Sequence, residues 1–141
     1  MFRDLAEHPD DETVPGIAVF RMEGGVFFAT ADALEDRVRS ALLDPDLSGI
    51  VLYFGGVNFV DAQGAATVSE IVRMTRESGV ELRLAGVRPA VRRRLELDGA
   101  VARLGADHIH GNVHRALAAM TLNDPDPPTP PDPRRAEGPD Q

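Results

Sequence analysis

Between residues 16 and 122 the spacing of apolar positions switches repeatedly between the two-residue period of a strand and the 3.6-residue period of a helix. Residues 17–22 and 26–29 are apolar runs split by Glu23-Gly24-Gly25, a spacing that predicts two strands joined as a hairpin. Thr30 is placed to cap a first helix, with Asp32 in its first turn at the positive end of the dipole. Leu34, Val38, Ala41 and Leu42 then mark one apolar face, and Asp44-Pro45 ends the helix. Residues 50–54 are apolar at every position, the pattern of a central strand covered on both faces. A turn follows at Gly55-Gly56-Val57-Asn58. Asp61 is a candidate N-cap for a second helix whose buried stripe is Ala65, Val68, Ile71, Val72 and Thr75, with Gly79 at its left-handed C-terminal position.

Residues 80–84 alternate strictly, which predicts a strand with one wetter face. Pro89 sits where helices start, and Val91 and Leu95 carry a third helix to Asp98-Gly99. A short strand is expected near residues 106–110. Asn112 then caps a last helix bearing Val113, Ala116, Leu117 and Met120 on one face. The order β-β-α-β-α-β-α-β-α predicts an α/β fold with right-handed crossovers, about five strands and about four helices.

Charge sharpens the domain boundaries. The net charge of −8 lies mostly in the flanks: residues 1–15 hold five acids against Arg3, and residues 123–141 hold five acids against Arg134 and Arg135. Residues 16–122 are therefore nearly neutral, which argues against a nucleic-acid binder, whose body is basic. Seven of the eleven prolines fall in residues 123–141, where there is little apolar surface to bury, so a disordered acidic tail is expected. Residues 1–15 read as a linker. The absence of Cys excludes disulfides and thiol chemistry. No apolar stretch approaches the roughly 20 residues of a membrane helix.

In an α/β sheet, ligands gather beyond the C-terminal strand ends. Three segments converge there: Ala29-Thr30, residues 55–64 and residues 86–89. Gly55 and Gly56 permit a sharp turn. The helix start at Asp61-Ala62-Gln63-Gly64 offers N–H groups to an anion, and Arg88 can pair with a phosphate. Against this, the Asp61 carboxylate repels an anion, so a cap plus a turn and an anion or nucleotide subsite both stand as readings. Gly64 in a first helical turn is costly by propensity and suggests close packing or an approaching partner. Arg92-Arg93-Arg94 is the densest basic run, read as a solvated face or as a contact for acidic protein or lipid headgroups. His108 and His110 would share one strand face, but no carboxylate spacing completes a metal site with them, and none is expected. No nucleophile elbow, P-loop or Gly-x-Gly-x-x-Gly occurs. With no acid–base pair in an apolar pocket, an enzyme is not expected.

The run Gly16-Ile17-Ala18-Val19-Phe20-Arg21, the segment Gly25-Val26-Phe27-Phe28-Ala29-Thr30-Ala31 and the loop Phe59-Val60-Asp61-Ala62-Gln63-Gly64 resemble the STAS domain of sulfate-permease (SulP)-type anion transporters. The resemblance covers about residues 14–121. It implies a mixed STAS-like sheet and a soluble regulatory and interaction domain on the cytoplasmic face of the cell membrane, of bacterial type. The domain would be tethered through residues 1–15 to the transmembrane part of the same transporter, with further protein partners. It also implies GTP as a weak ligand at Thr30, Gly55, Gly56, Asn58, Asp61, Ala62, Gln63, Gly64 and Arg88, and no other cofactor. The alternative is a free-standing module similar to the anti-sigma-factor antagonists, which are also STAS domains. Their switch is a Ser or Thr phosphorylated within the Asp-x-x-Gly loop. This chain has Ala62 and Gln63 there, and neither accepts a phosphate.

Overall fold

A computed structural model describes residues 14–22, 25–26 and 31–122. Residues 1–13 of the expected linker, the expected tail, Thr30 and the Phe27-Phe28-Ala29 segment lie outside those residues.

Four strands form one sheet: β1 (Ile17–Arg21), β3 (Gly49–Tyr53), β5 (Glu81–Ala85) and β6 (Ile109–His110), in the order β1-β3-β5-β6. Every pairing within it is parallel. A second, two-stranded pair joins β2 (Gly25–Val26) to β4 (Val57–Phe59), also in parallel.

Among the described residues, β1 and β2 therefore do not pair with each other as a hairpin. The chain leaves β1, and its neighbour in the sheet arrives only after a helical crossover. A short glycine-containing connection fits a hairpin and equally fits strands that diverge, and only the parallel partners distinguish them.

Strand parity sorts the side chains into two layers. Ala18, Phe20, Ile50, Leu52, Leu82 and Leu84 face a main core shared with α1 (Ala31–Ala41), α2 (Ala62–Glu77), α3 (Pro89–Leu97) and α4 (Ala100–Leu104). Val51 and Ala85 face the other way, against Ala116, Leu117 and Met120 of α5 (Val113–Leu122). The fully apolar run of β3 is thus a central strand covered on both faces, as its sequence requires.

The helix boundaries follow local chemistry. Asp61 Oδ1 accepts a 2.8 Å hydrogen bond from the Gly64 N–H, Asn112 Oδ1 accepts from the Arg115 N–H at 2.8 Å, and Pro89 opens α3. Two short elements were not expected. α4 follows α3 directly after the left-handed Gly99, and β4 starts at Val57 and Asn58, which the sequence assigns to a turn. Residues 106–108 form a single 3₁₀ turn, leaving only Ile109 and His110 as strand. Histidines 108 and 110 therefore do not share a strand face.

The expectation of a wetter face on β5 also fails. Arg83, on that face, is only 5% exposed. Its guanidinium is held from the inside: Nε and Nη2 donate to Glu81 Oε2 at 2.8 and 2.6 Å, and Nη1 donates to the Asp107 carbonyl at 3.2 Å. Alternation reads a charged residue as solvated, whereas a buried charge with partners is tolerated.

Candidate functional site

The C-terminal ends of β3 and β5 are closed by glycine turns that pack around one aromatic ring. A Cβ on Gly86, whose φ is +68°, would lie 2.8 Å from Tyr53 Cε1, and one on Gly55 would lie 2.0 Å from Tyr53 Oη. Tyr53 thus needs glycine at both turns. The Arg21 guanidinium sits 5.0 Å from the centroid of the same ring, within cation–π range. Tyr53 was not among the residues singled out from sequence. Inside the apolar run of residues 50–54 it carried no signal beyond core packing.

Arg88 meets this surface as expected. It occupies the N-cap position of α3, and Nη2 donates to the Gly55 carbonyl at 2.9 Å. Gly55 and Gly56 are half-buried, and Arg88 is exposed. The structure therefore brings Arg88 and the Gly55-Gly56 turn together through an internal hydrogen bond.

The second part of the site is the start of α2. Val60 is buried and Asp61 half-buried, while Ala62 and Gln63 are exposed and Gly64 is buried. Asp61 spends one carboxylate oxygen on the Gly64 N–H, which neutralises part of the helix start from within the chain. The Thr67 hydroxyl donates back to the Gln63 carbonyl at 3.2 Å, so this mid-helix hydroxyl is internally used. No hydrogen bond joins the Asp61–Gly64 pair to the Arg88–Gly55 pair among the described residues. Asn58 is exposed on β4, beside a groove against α3. Asn58 through Gly64 therefore run from a three-residue edge strand into a capped helix at the surface.

The histidines act separately. His108 Nδ1–H donates to the Leu104 carbonyl at 2.8 Å, whereas His110 Nε2 lies 3.2 Å from Arg83 Nη1. Both imidazoles are held below their usual pKa, first by burial and next by the Arg83 cation. Among the described residues no group of three or more His, Cys, Asp or Glu side chains is arranged to hold a metal ion, and no helix is long and apolar enough to cross a membrane.

The arrangement can present a backbone turn, a cation and a capped helix start to a partner. Among the described residues it aligns no nucleophile with a base.

Comparison with known proteins places this geometry in context. The family model described as "STAS domain" matches residues 8–116. High affinity sulfate transporter 2 of Stylosanthes hamata is 22% identical over 128 residues, which is 84% of this chain and 19% of that protein. The chain thus spans about a fifth of the length of the curated relatives it matches. The SulP transporter STAS domain from Vibrio cholerae is 28% identical, with a TM-score of 0.65, covering 77% of this chain and 85% of that one. Two structures share the fold alone. The murine Slc26a9 anion transporter is 20% identical with a TM-score of 0.66, covering 79% of this chain and 19% of that one. The anti-sigma factor antagonist SpoIIAA, in its unphosphorylated form, is 17% identical with a TM-score of 0.64, covering 79% and 93%.

Proposed function

Because the chain belongs to the STAS domain family, we propose that it is the regulatory and interaction domain of a sulfate-type anion transporter, held at the cytoplasmic face of the cell membrane by the transmembrane part of the same protein. The reading is supported by likeness to sulfate transporters and to a SulP transporter domain over most of the chain. The observation that carries it against the runner-up is the exposed Ala62-Gln63 pair directly after the Asp61 cap. A phosphorylation switch needs a hydroxyl there, and the nearest in α2, Thr67, is buried and bonded to Gln63. A free-standing antagonist-like module shares the fold, which SpoIIAA also has, and would have to work without that switch.

The surface at Gly55, Gly56, Asn58, Asp61–Gly64 and Arg88 serves as the contact region for the rest of the transporter and for partner proteins. Weak guanine-nucleotide binding belongs to the same surface. Support comes from the Arg88 cation beside the Gly55-Gly56 turn and the N–H groups of α2. The Asp61 carboxylate keeps the affinity low. Hydrolysis is not part of the proposal, because no group here positions a water or a metal.

The test is uptake of labelled sulfate by cells expressing the complete gene, with and without residues 16–122. The account expects uptake to collapse on deletion while the transmembrane part still reaches the membrane. Uptake unaffected by the deletion would refute it.

A further inference from the structure

Helix α3 is the most cationic element of the described chain. It carries Arg92, Arg93 and Arg94, with Arg88 at its N-cap, against a single acid, Glu96. That acid is matched by Arg92 Nε at 3.1 Å. Arg93 and Arg94 have no side-chain hydrogen bond or ion pair among the described residues; Arg93 is exposed and Arg94 half-buried. Both border a shallow groove of about 400 Å³ between β4 and α3, with Phe59, Val60, Ala90 and Leu97 as its apolar surface. Two of these side chains stand out of the fold from different elements. Phe59 is 54% exposed and Leu97 is 73% exposed.

A pair of protruding apolar side chains beside unpaired arginines is the chemistry of an anionic lipid interface. The rings and alkyl groups enter the acyl boundary while guanidinium groups fork onto phosphate oxygens. We propose that this β4–α3 face seats on an anionic lipid surface through Phe59, Leu97, Arg93 and Arg94. A protein partner is the less fitting occupant, because a stable protein interface takes roughly 20–30 residues a side and this groove is far smaller. A membrane needs only a few insertion points, and tethering supplies the local concentration. The choice of occupant rests on the transporter reading above, which holds the domain beside a membrane.

The experiment measures co-sedimentation of the whole 141-residue chain with vesicles of phosphatidylcholine containing about 30 mol% phosphatidylglycerol, at about 50 mM salt, where exposed charges are weakly screened. Binding is expected to these vesicles and not to pure phosphatidylcholine. Each arginine near the surface is worth about fivefold in partitioning, so R93E/R94E should lower binding by about 25-fold or more. F59S/L97S should lower it about tenfold or more. Arg115→Glu, the same charge change on exposed α5, should leave binding within about twofold. All four positions are exposed or half-buried, so circular dichroism should report an intact fold. The proposal is overturned by an absence of binding to the anionic vesicles, by an equal loss with Arg115→Glu, or by capture of polyglutamate with the same variant pattern while vesicles are ignored. Failure here leaves the sulfate-uptake result standing, and loss of the transporter reading would be seen in uptake and not in sedimentation.

Discussion

Arg83→Met removes one charge from the α5 side of the sheet and keeps most of the side-chain stem. The wild-type guanidinium bonds Glu81 Oε2 through two nitrogens, the Asp107 carbonyl, and the ring of His110. Hydrogen bonds to a charged group contribute about 1.5–3 kcal/mol each when buried. Glu81 keeps a side chain 32% exposed, and Asp107 is exposed, so water replaces part of what is lost. A net destabilisation of about 2 kcal/mol results, well short of the roughly 3–5 kcal/mol for a fully buried broken pair. For a domain of this size, Tm should fall by about 8 °C, read by circular dichroism. The same change removes a cation that depresses the His110 pKa, so an NMR titration should show that imidazole moving up toward its ordinary value. Glu81→Gln in the Arg83→Met background should cost less than in the wild type, because its partner is already gone. An unchanged Tm together with an unmoved His110 titration would refute the reasoning.

Asp61→Ala removes the cap on α2 and should cost about 1 kcal/mol, or about 4 °C in Tm; no loss would mean the Gly64 N–H is satisfied otherwise. Gly86→Ala places a methyl against the Tyr53 ring at a positive φ and should destabilise by clearly more than the ~1 kcal/mol of Gly79→Ala, where the added carbon meets open space. Equal losses in chemical denaturation would contradict that contrast. Because His108 and His110 have lowered folded-state pKa values, the unfolded chain binds protons first on acidification. Their contribution is complete above about pH 6.5 and is lost as pH falls below it. The urea midpoint should drop over that window, with a shallower slope in H108Q/H110Q; a midpoint rising on acidification would contradict it.

Much of the fold was legible in the sequence because local chemistry decided it. The Asp61 and Asn112 caps, Pro89 at the start of α3 and the unbroken apolar run of β3 each specify an element with little outside help. What stayed hidden depended on partners distant along the chain. The parallel pairing of β1 with β3 and of β2 with β4 is set by crossover geometry, to which the Glu23-Gly24-Gly25 spacing is blind. β4 has three residues and α4 five, too short for either periodicity to register. Arg83 looked solvated because, beside the half-exposed Glu81 two residues back, the partners that cover it, Asp107 and His110, lie more than twenty residues away. In the candidate site, the meeting of Arg88 with the Gly55-Gly56 turn followed from the rule for strand ends. Tyr53 and the exposure of Phe59 and Leu97 did not, since burial of a single apolar residue is a tertiary property. The arginine run marked α3 as the most basic helix without showing that Arg92 is matched by Glu96 while Arg93 and Arg94 are not.

The most direct measurement takes an antibody raised against this domain into fractionated source cells and determines the size of the native polypeptide that it recovers. The account predicts a membrane-fraction protein several times longer than 141 residues, released by detergent and not by salt. Recovery of a polypeptide of this chain's own length from the soluble fraction would contradict it.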